Sequence, residues 1–279
     1  MPESTSPTPE STPSGSNPDM PIIRLESVSK RFGTVQALDD ISLAIPTGRT
    51  TVVLGPSGCG KSVMLKHIIG LLRPDHGSVW FQSQRVDKLP EHELVDIRRR
   101  VGFLFQQGAL FDSMTVGQNI AFPLREHTDI SRADRLERVD RMLDLVGVSE
   151  TARRMPSELS GGQRKRIALA RSIVLEPEVV LYDEPTTGLD PIRSDVIAQL
   201  ILRLQDTLSL TSIVVTHDIQ TAFKIADTMV MMNEGRILMS GKPELFESSQ
   251  DEVIRRFLDG RASPEELGEL TNSFQGTDP

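Results

Sequence analysis

The chain has 279 residues, 38% of them apolar, and a formal net charge of −8: enough apolar material for a sizeable core, and too acidic a balance for a general nucleic-acid binder. No apolar run reaches the length of a membrane span, and the N-terminal stretch has neither the basic start nor the apolar centre of a secretory signal, so the expectation is a chain that stays in the cytosol. The single cysteine, Cys59, excludes an internal disulfide.

Residues 1–21 are rich in Ser, Thr, Pro and Glu with almost nothing to bury, which predicts a disordered tail. From Ile22 the segments IIRLESVSKRF, ALDDISLAIPTG and SVWFQSQRV read as strands, with Ile41, Leu43 and Ile45 alternating in the second. Alternation predicts an antiparallel sheet covered on one face. TTVVLGP, VGFLF, EVVLYDE and TSIVVTHD are different: short continuous apolar runs flanked by helical segments, as in a parallel sheet buried on both faces. Between the second and third of these the chain is mostly helical. Leu136, Val139, Leu143 and Val146 recur there at helical spacing, and a helical lobe is expected over about residues 92–176. The fold predicted is α/β, with a mainly parallel core sheet, an N-terminal antiparallel β subdomain and an inserted helical subdomain, over residues 22–242. An extension at 243–279 follows, in which Val253, Ile254, Phe257 and Leu258 form an apolar patch opposite Arg255 and Arg256.

GPSGCGKS, residues 55–62, fits GxxxxGK[ST] and sits directly after the strand TTVVL and before the helical pattern SVMLKHIIGLL. A glycine-rich turn is the plain alternative, but its flanks favour a phosphate loop. Gly55, Gly58 and Gly60 let the backbone turn its N–H groups toward phosphate oxygens at a helix N-terminus, where the dipole favours anions. Lys61 would meet the β and γ phosphates, and the Ser62 hydroxyl would ligate Mg²⁺. Cys59 reads as a passive loop residue whose place at the helix start would lower its thiol pKa.

EVVLYDEP ends a strand with two carboxylates. Asp183 is the candidate for Mg²⁺ and Glu184 for the base that deprotonates an attacking water; the alternative is a pair of acids capping a turn. His217, after TSIVVT, ends another strand and could reach the γ phosphate. A second glycine pair follows a serine in LSGGQ, residues 159–163, and opens a helix on which Ile167, Ala170 and Val174 trace an apolar stripe while Arg164, Lys165, Arg166 and Arg171 supply positive charge. It is either a capped helix or a second anion site, and a second copy of the chain could bring it to the open side of the phosphates.

GPSGCGKS, Gln106 in FLFQQ, LSGGQ, VVLYDE, TGLD and His217 stand in the order and spacing of an ATP-binding cassette ATPase of the P-loop NTPase class, and the resemblance covers residues 22 to about 242. It implies a head-to-tail dimer with two ATP molecules, each held between the first loop of one copy and the second loop of the other. It carries nucleotide contact to Gly55, Pro56, Ser57, Gly58, Cys59, Gly60, Lys61, Ser62 and Val63 of one copy and to Ser160, Gly161, Gly162 and Gln163 of the other. By the same resemblance Gln106 senses Mg²⁺ and the lytic water, Asp190 links the two sites, and Phe32 stacks on adenine, keeping the aromatic face of the more usual Tyr without its hydroxyl.

A transport cassette docks a separate integral-membrane permease, and Leu110, Phe111, Met114, Val116, Ile120 and Phe122 lie close together in sequence where such a subunit would bind; core packing is the alternative for each. FQQGALF, FPLREH, MPSELSGGQ and the tail DEVIRRFLDG resemble the ATPase subunits of Mla-type and Mce-linked phospholipid transporters. That resemblance implies a peripheral protein on the cytoplasmic face of the inner membrane, with room for a small regulatory subunit and a lipid-binding envelope protein, and no nucleic acid as partner. The alternatives are a cassette for another solute, such as an amino acid or an ion, and a non-transport cassette.

Overall fold

The computed structural model describes residues 21–262. The expectation of a disordered tail therefore falls almost wholly outside the described residues, as does the extension beyond residue 262. At Pro21 the first strand has already begun. Strand β1 (Pro21–Phe32) pairs antiparallel with β2 (Val35–Pro46), then β3 (Thr50–Leu54) leads through the glycine loop into helix α1 (Lys61–Ile68). Next come β4 (His76–Phe81), the two-residue β5 (Gln84–Arg85), α2 (Glu91–Arg100) and β6 (Val101–Leu104). Helices α3 (Val116–His127), α4 (Arg132–Leu145) and α5 (Gly161–Ile173) precede β7 (Val179–Asp183). The described residues continue with α6 (Pro191–Leu208), β8 (Thr211–Thr216), α7 (Ile219–Ile225), β9 (Thr228–Asn233), β10 (Arg236–Gly241), α8 (Pro243–Glu247) and α9 (Glu252–Leu258).

Two sheets result, an antiparallel one in the order β2-β1-β4-β5 and a larger one in the order β10-β9-β3-β8-β7-β6. In the second, all neighbours run parallel except β10, which is antiparallel to β9. Period-two geometry explains its continuous apolar runs. Val53, Leu181, Ile213 and Val215 point to one cluster, shared with the antiparallel sheet and α1, while Val52, Val180, Tyr182 and Val214 point to the other, shared with α3 to α6. The antiparallel sheet covers one face only: Ile41, Leu43 and Ile45 are buried and the residues between them exposed.

Two local expectations change. VGFLF pairs with β7 as a parallel strand, as its apolar run predicts, so the helical lobe begins only after β6 and not near residue 92, and α2 buries Leu94 and Ile97 in the cluster on the far side of the sheet. On α4 the buried residues are Val139, Met142 and Leu143, whereas Leu136 is 55% exposed. It shares the helical spacing yet stands in solvent, so periodicity alone overreads the stripe. In the extension, Ile254 is 2% exposed and packs into the large helical cluster, with Phe257 and Leu258 at its rim. Ile254→Ala is therefore expected to cost about 2–5 kcal/mol, read as a fall in the denaturation midpoint of the whole chain. A midpoint within error of the parent would show that α9 only rests on the cassette.

Candidate active site

The parallel strands bring their carboxyl ends to one edge of the sheet, with Leu54 opposite Thr216, Asp183 opposite Val215 and Leu104 opposite Tyr182. The loops leaving that edge carry Gly55, Gln106, Glu184 and His217, so residues far apart in sequence meet in space.

In the first loop Gly55, Gly58 and Gly60 all have positive φ, at 153°, 84° and 104°. A Cβ on Gly55 would lie 2.2 Å from the Met232 carbonyl oxygen, and one on Gly60 2.3 Å from that of Ala37, whereas around Gly58 there is open space. Two of the glycines thus admit neighbouring backbone, and the third leaves the exposed rim of the loop bare. Lys61, only 5% exposed, donates from Nζ to the carbonyls of Gly55 at 2.8 Å and Pro56 at 2.9 Å, and the same nitrogen stands 3.9 Å from Glu184 Oε1. Pro56 and Ser57 are exposed and Val63 is half-buried. Cys59 departs from expectation: burial pushes its thiol up, and the Lys61 charge only partly opposes this.

Ser62 Oγ donates to Asp183 Oδ1 at 2.7 Å, joining the helix start to the end of β7. Burial pushes the Asp183 carboxyl up, the Ser62 hydrogen bond pulls it back, and the neighbouring Glu184 charge adds to the rise. A largely dehydrated carboxylate beside a hydroxyl is a pair of hard oxygen ligands, which fits Mg²⁺.

Glu184 is 7% exposed and adopts φ 53°, the left-handed region that turns the chain out of the strand. Its Oε2 accepts from His217 Nδ1 at 2.8 Å and from Thr187 Oγ1 at 3.1 Å, so a carboxylate that can only accept holds the imidazole with its proton on Nδ1. Thr187 escaped the sequence reading; it stands three residues after Glu184, the spacing at which a turn returns a hydroxyl to the preceding side chain. Gln106 is exposed in the loop after β6, and its carbonyl accepts from Lys165 Nζ.

Phe32 ends β1 at 45% exposure, with Lys30 Nζ 5.6 Å from its ring centre. On the helical side Ser160 caps α5 in a reciprocal box: its hydroxyl oxygen accepts from the Gln163 N–H, and Gln163 Oε1 accepts from the Ser160 N–H. Asp190 caps α6 by accepting from the Arg193 N–H at 3.0 Å. These two helix starts adjoin, since a Cβ on Gly161 would sit 3.6 Å from Leu189 and one on Gly162 3.6 Å from Arg193. Among the described residues no hydrogen bond or ion pair joins Ser160–Gln163 to the first loop.

Two basic residues on α5 turn inward rather than out to solvent, and the charge of Lys165 faces the Glu184 and Asp183 carboxylates. Lys165 is 8% exposed, and Arg171 donates inward to the carbonyls of Gly108 and Ala109, both at 2.9 Å. Lys165 precedes the buried Ala168 and Leu169 by three and four positions, which marks it as lying on the apolar face. Of the residues read as a docking surface, Val116 and Ile120 are fully buried core, whereas Phe111 is 41% exposed with its ring 4.9 Å from that of Phe122. Packing against α5 claims the inward side of α3, and Leu110 of the preceding loop packs partly against the same cluster.

A model of the family described as ABC transporter matches residues 38–187. Over 239 residues the chain is 42% identical to the probable ribonucleotide transport ATP-binding protein mkl of Mycobacterium leprae, covering 86% of this chain and 69% of that one. Over 241 residues it is 39% identical to the intermembrane phospholipid transport system ATP-binding protein MlaF of Escherichia coli K12, covering 86% of this chain and 90% of that one. Among solved structures it resembles the dimeric post-hydrolysis cassette MJ0796 bound to ADP and Pi, with a TM-score of 0.73 and 33% identity over 79% of this chain and 98% of that one. It also resembles cbiO1 of Clostridium perfringens, part of the cbiONQ transporter complex, with a TM-score of 0.76 and 30% identity over 91% of this chain and all of that one.

Proposed function

This chain belongs to the ABC transporter family and is an ATPase, and from that premise we propose that it works as a pair of copies that close around two ATP molecules to drive a separate permease moving phospholipid in the cell envelope. The observation that carries the reading is the convergence of Lys61, Asp183, Glu184 and His217 on one sheet edge, while Ser160–Gln163 lies apart on the helical side. One chain thus holds half of the phosphate donors at each of two places. A head-to-tail partner supplies the missing half, with Asp190 beside the glycine pair at the seam.

Each residue then has a task. Phe32 stacks on adenine, and the loop N–H groups from Gly55 to Val63 surround the phosphates. Lys61 exchanges its contacts with the Gly55 and Pro56 carbonyls for phosphate oxygens. Ser62 and Asp183 would hold Mg²⁺, which when bound neutralises charge on the β and γ phosphates. Glu184 takes a proton from the water that attacks the γ phosphorus as ADP leaves, His217 and Thr187 fix the orientation of its carboxylate, and exposed Gln106 faces the same water. No helix among the described residues is long and apolar enough to cross a membrane, which suits a peripheral subunit held at the cytoplasmic face through its permease.

Phospholipid as the cargo rests on the name of the Escherichia coli relative; the mycobacterial relative's name favours ribonucleotide as a second reading. The test is purification of the chain from its own membranes with whatever accompanies it. Co-isolation of a permease with bound phospholipid is the expected result, ribonucleotide on that permease would favour the second reading, and a wholly soluble complex would remove the transport role.

A further inference from the structure

Resting on the ATPase reading, we infer that Lys165 is a positioning residue for hydrolysis, holding the Gln106 loop and Glu184 in register with the helix that presents the second glycine loop. Its Nζ donates to the carbonyl of Gln106 and, at 3.2 Å, to the carbonyl of Glu184. Both bonds go to backbone, so the ammonium fixes the course of the chain at two functional residues, while its charge also faces the Glu184 and Asp183 carboxylates. Glu184 needs such a restraint, because its φ of 53° is one that a non-glycine residue keeps only when its surroundings hold it. Its N–H is held by the Val215 carbonyl at 2.9 Å, and Lys165 holds the carbonyl on the other side.

The same helix grips the Gln106 loop elsewhere. Arg171 donates to the carbonyls of Gly108 and Ala109, and a Cβ on Gly108 would sit 3.2 Å from that of Ala168, so the loop rides on α5. Lys165 extends this unit across to the sheet edge. It lies five residues after Ser160, so a shift of α5 on engaging the partner's nucleotide would act on Glu184 through this side chain. An ammonium on the apolar face of a helix is unfavourable for stability alone, and burial indeed pushes its pKa down. A residue placed for packing would be apolar there.

Lys165→Met removes the donor and keeps the length of the side chain; Lys165→Gln keeps an uncharged amide donor. Steady-state hydrolysis, equilibrium ATP affinity and thermal midpoint are measured for both, with Glu184→Gln alongside. We expect kcat to fall about tenfold in Lys165→Met and about threefold in Lys165→Gln, with ATP affinity within about twofold of the parent in each, as for a slightly misplaced reacting group. Unchanged kcat in Lys165→Met, or kcat and affinity lost together with the thermal midpoint, would overturn the assignment. If Lys165→Met does not fold, Lys165→Gln decides by the same split between kcat and affinity. Parental turnover by Glu184→Gln would instead remove the assigned base, a failure separable from that of Lys165.

Discussion

Glu184→Gln is expected to bind ATP as the parent does while its turnover falls by a factor on the order of 10² to 10⁴, the usual contribution of a positioned general base. The substitution is nearly isosteric in a tightly held place. The amide oxygen can still accept from His217 and Thr187, and the bonds from Lys61 to the Gly55 and Pro56 carbonyls do not involve Glu184. What disappears is the basic oxygen that receives the proton. Because binding survives and the opening step does not follow, ATP should accumulate a stable dimer of this variant. Hydrolysis rates with sedimentation in the presence of ATP check both halves. Turnover at the parental rate would strip Glu184 of its role, and a variant that stayed monomeric with bound ATP would count against the shared site.

Lys61→Ala should weaken ATP binding itself. A charge-assisted contact contributes about 1.5–3 kcal/mol, which corresponds to a rise in dissociation constant of roughly ten- to 150-fold. Two effects must be separated, because Lys61 is 5% exposed and also bonds two carbonyls of its own loop. Lys61→Met keeps the buried stem and loses only the ammonium. If both variants lose affinity alike, the charge is responsible; if only Lys61→Ala does, the packing of the stem is. ATP affinity unchanged in both would mean that the loop holds phosphate through its N–H groups without this side chain.

The two substitutions probe different links of one arrangement, a cradle that binds and a base that acts. They are not independent in the geometry: Lys61 sits on α1 and Glu184 beyond β7, but their charges meet at 3.9 Å with both side chains nearly buried. A double variant should therefore show both defects, weak binding and slow turnover, but should depart from additivity, because the two groups form one buried ion pair.

Much of this site is written locally. A glycine loop between a strand and a helix, a pair of acids ending an apolar run, and a serine with two glycines opening a helix each depend on a few consecutive residues, so their backbone preferences are set by short-range sterics and capping. The strands are legible for the same reason, since alternating and continuous apolar runs answer to one covered face or two. The order of the strands, which sets Glu184 beside His217, depends on pairing across the chain.

Other features needed the assembled molecule. Leu136 has the helical spacing of a core residue and stands in solvent, while Lys165 and Arg171 have the charge of surface residues and turn inward. Thr187 meets Glu184 only because the chain bends at a left-handed residue, and Cys59 has its thiol pushed up by burial where the helix start alone would lower it. The amino-acid order by itself determined which segments are strands, loops and caps, because torsion preference and period act over a few residues. Which side of each helix meets the sheet, and hence which charges are dehydrated and which carbonyls they hold, was decided only by the tertiary structure, because burial is a property of what packs above a residue and not of the residue's neighbours in the chain.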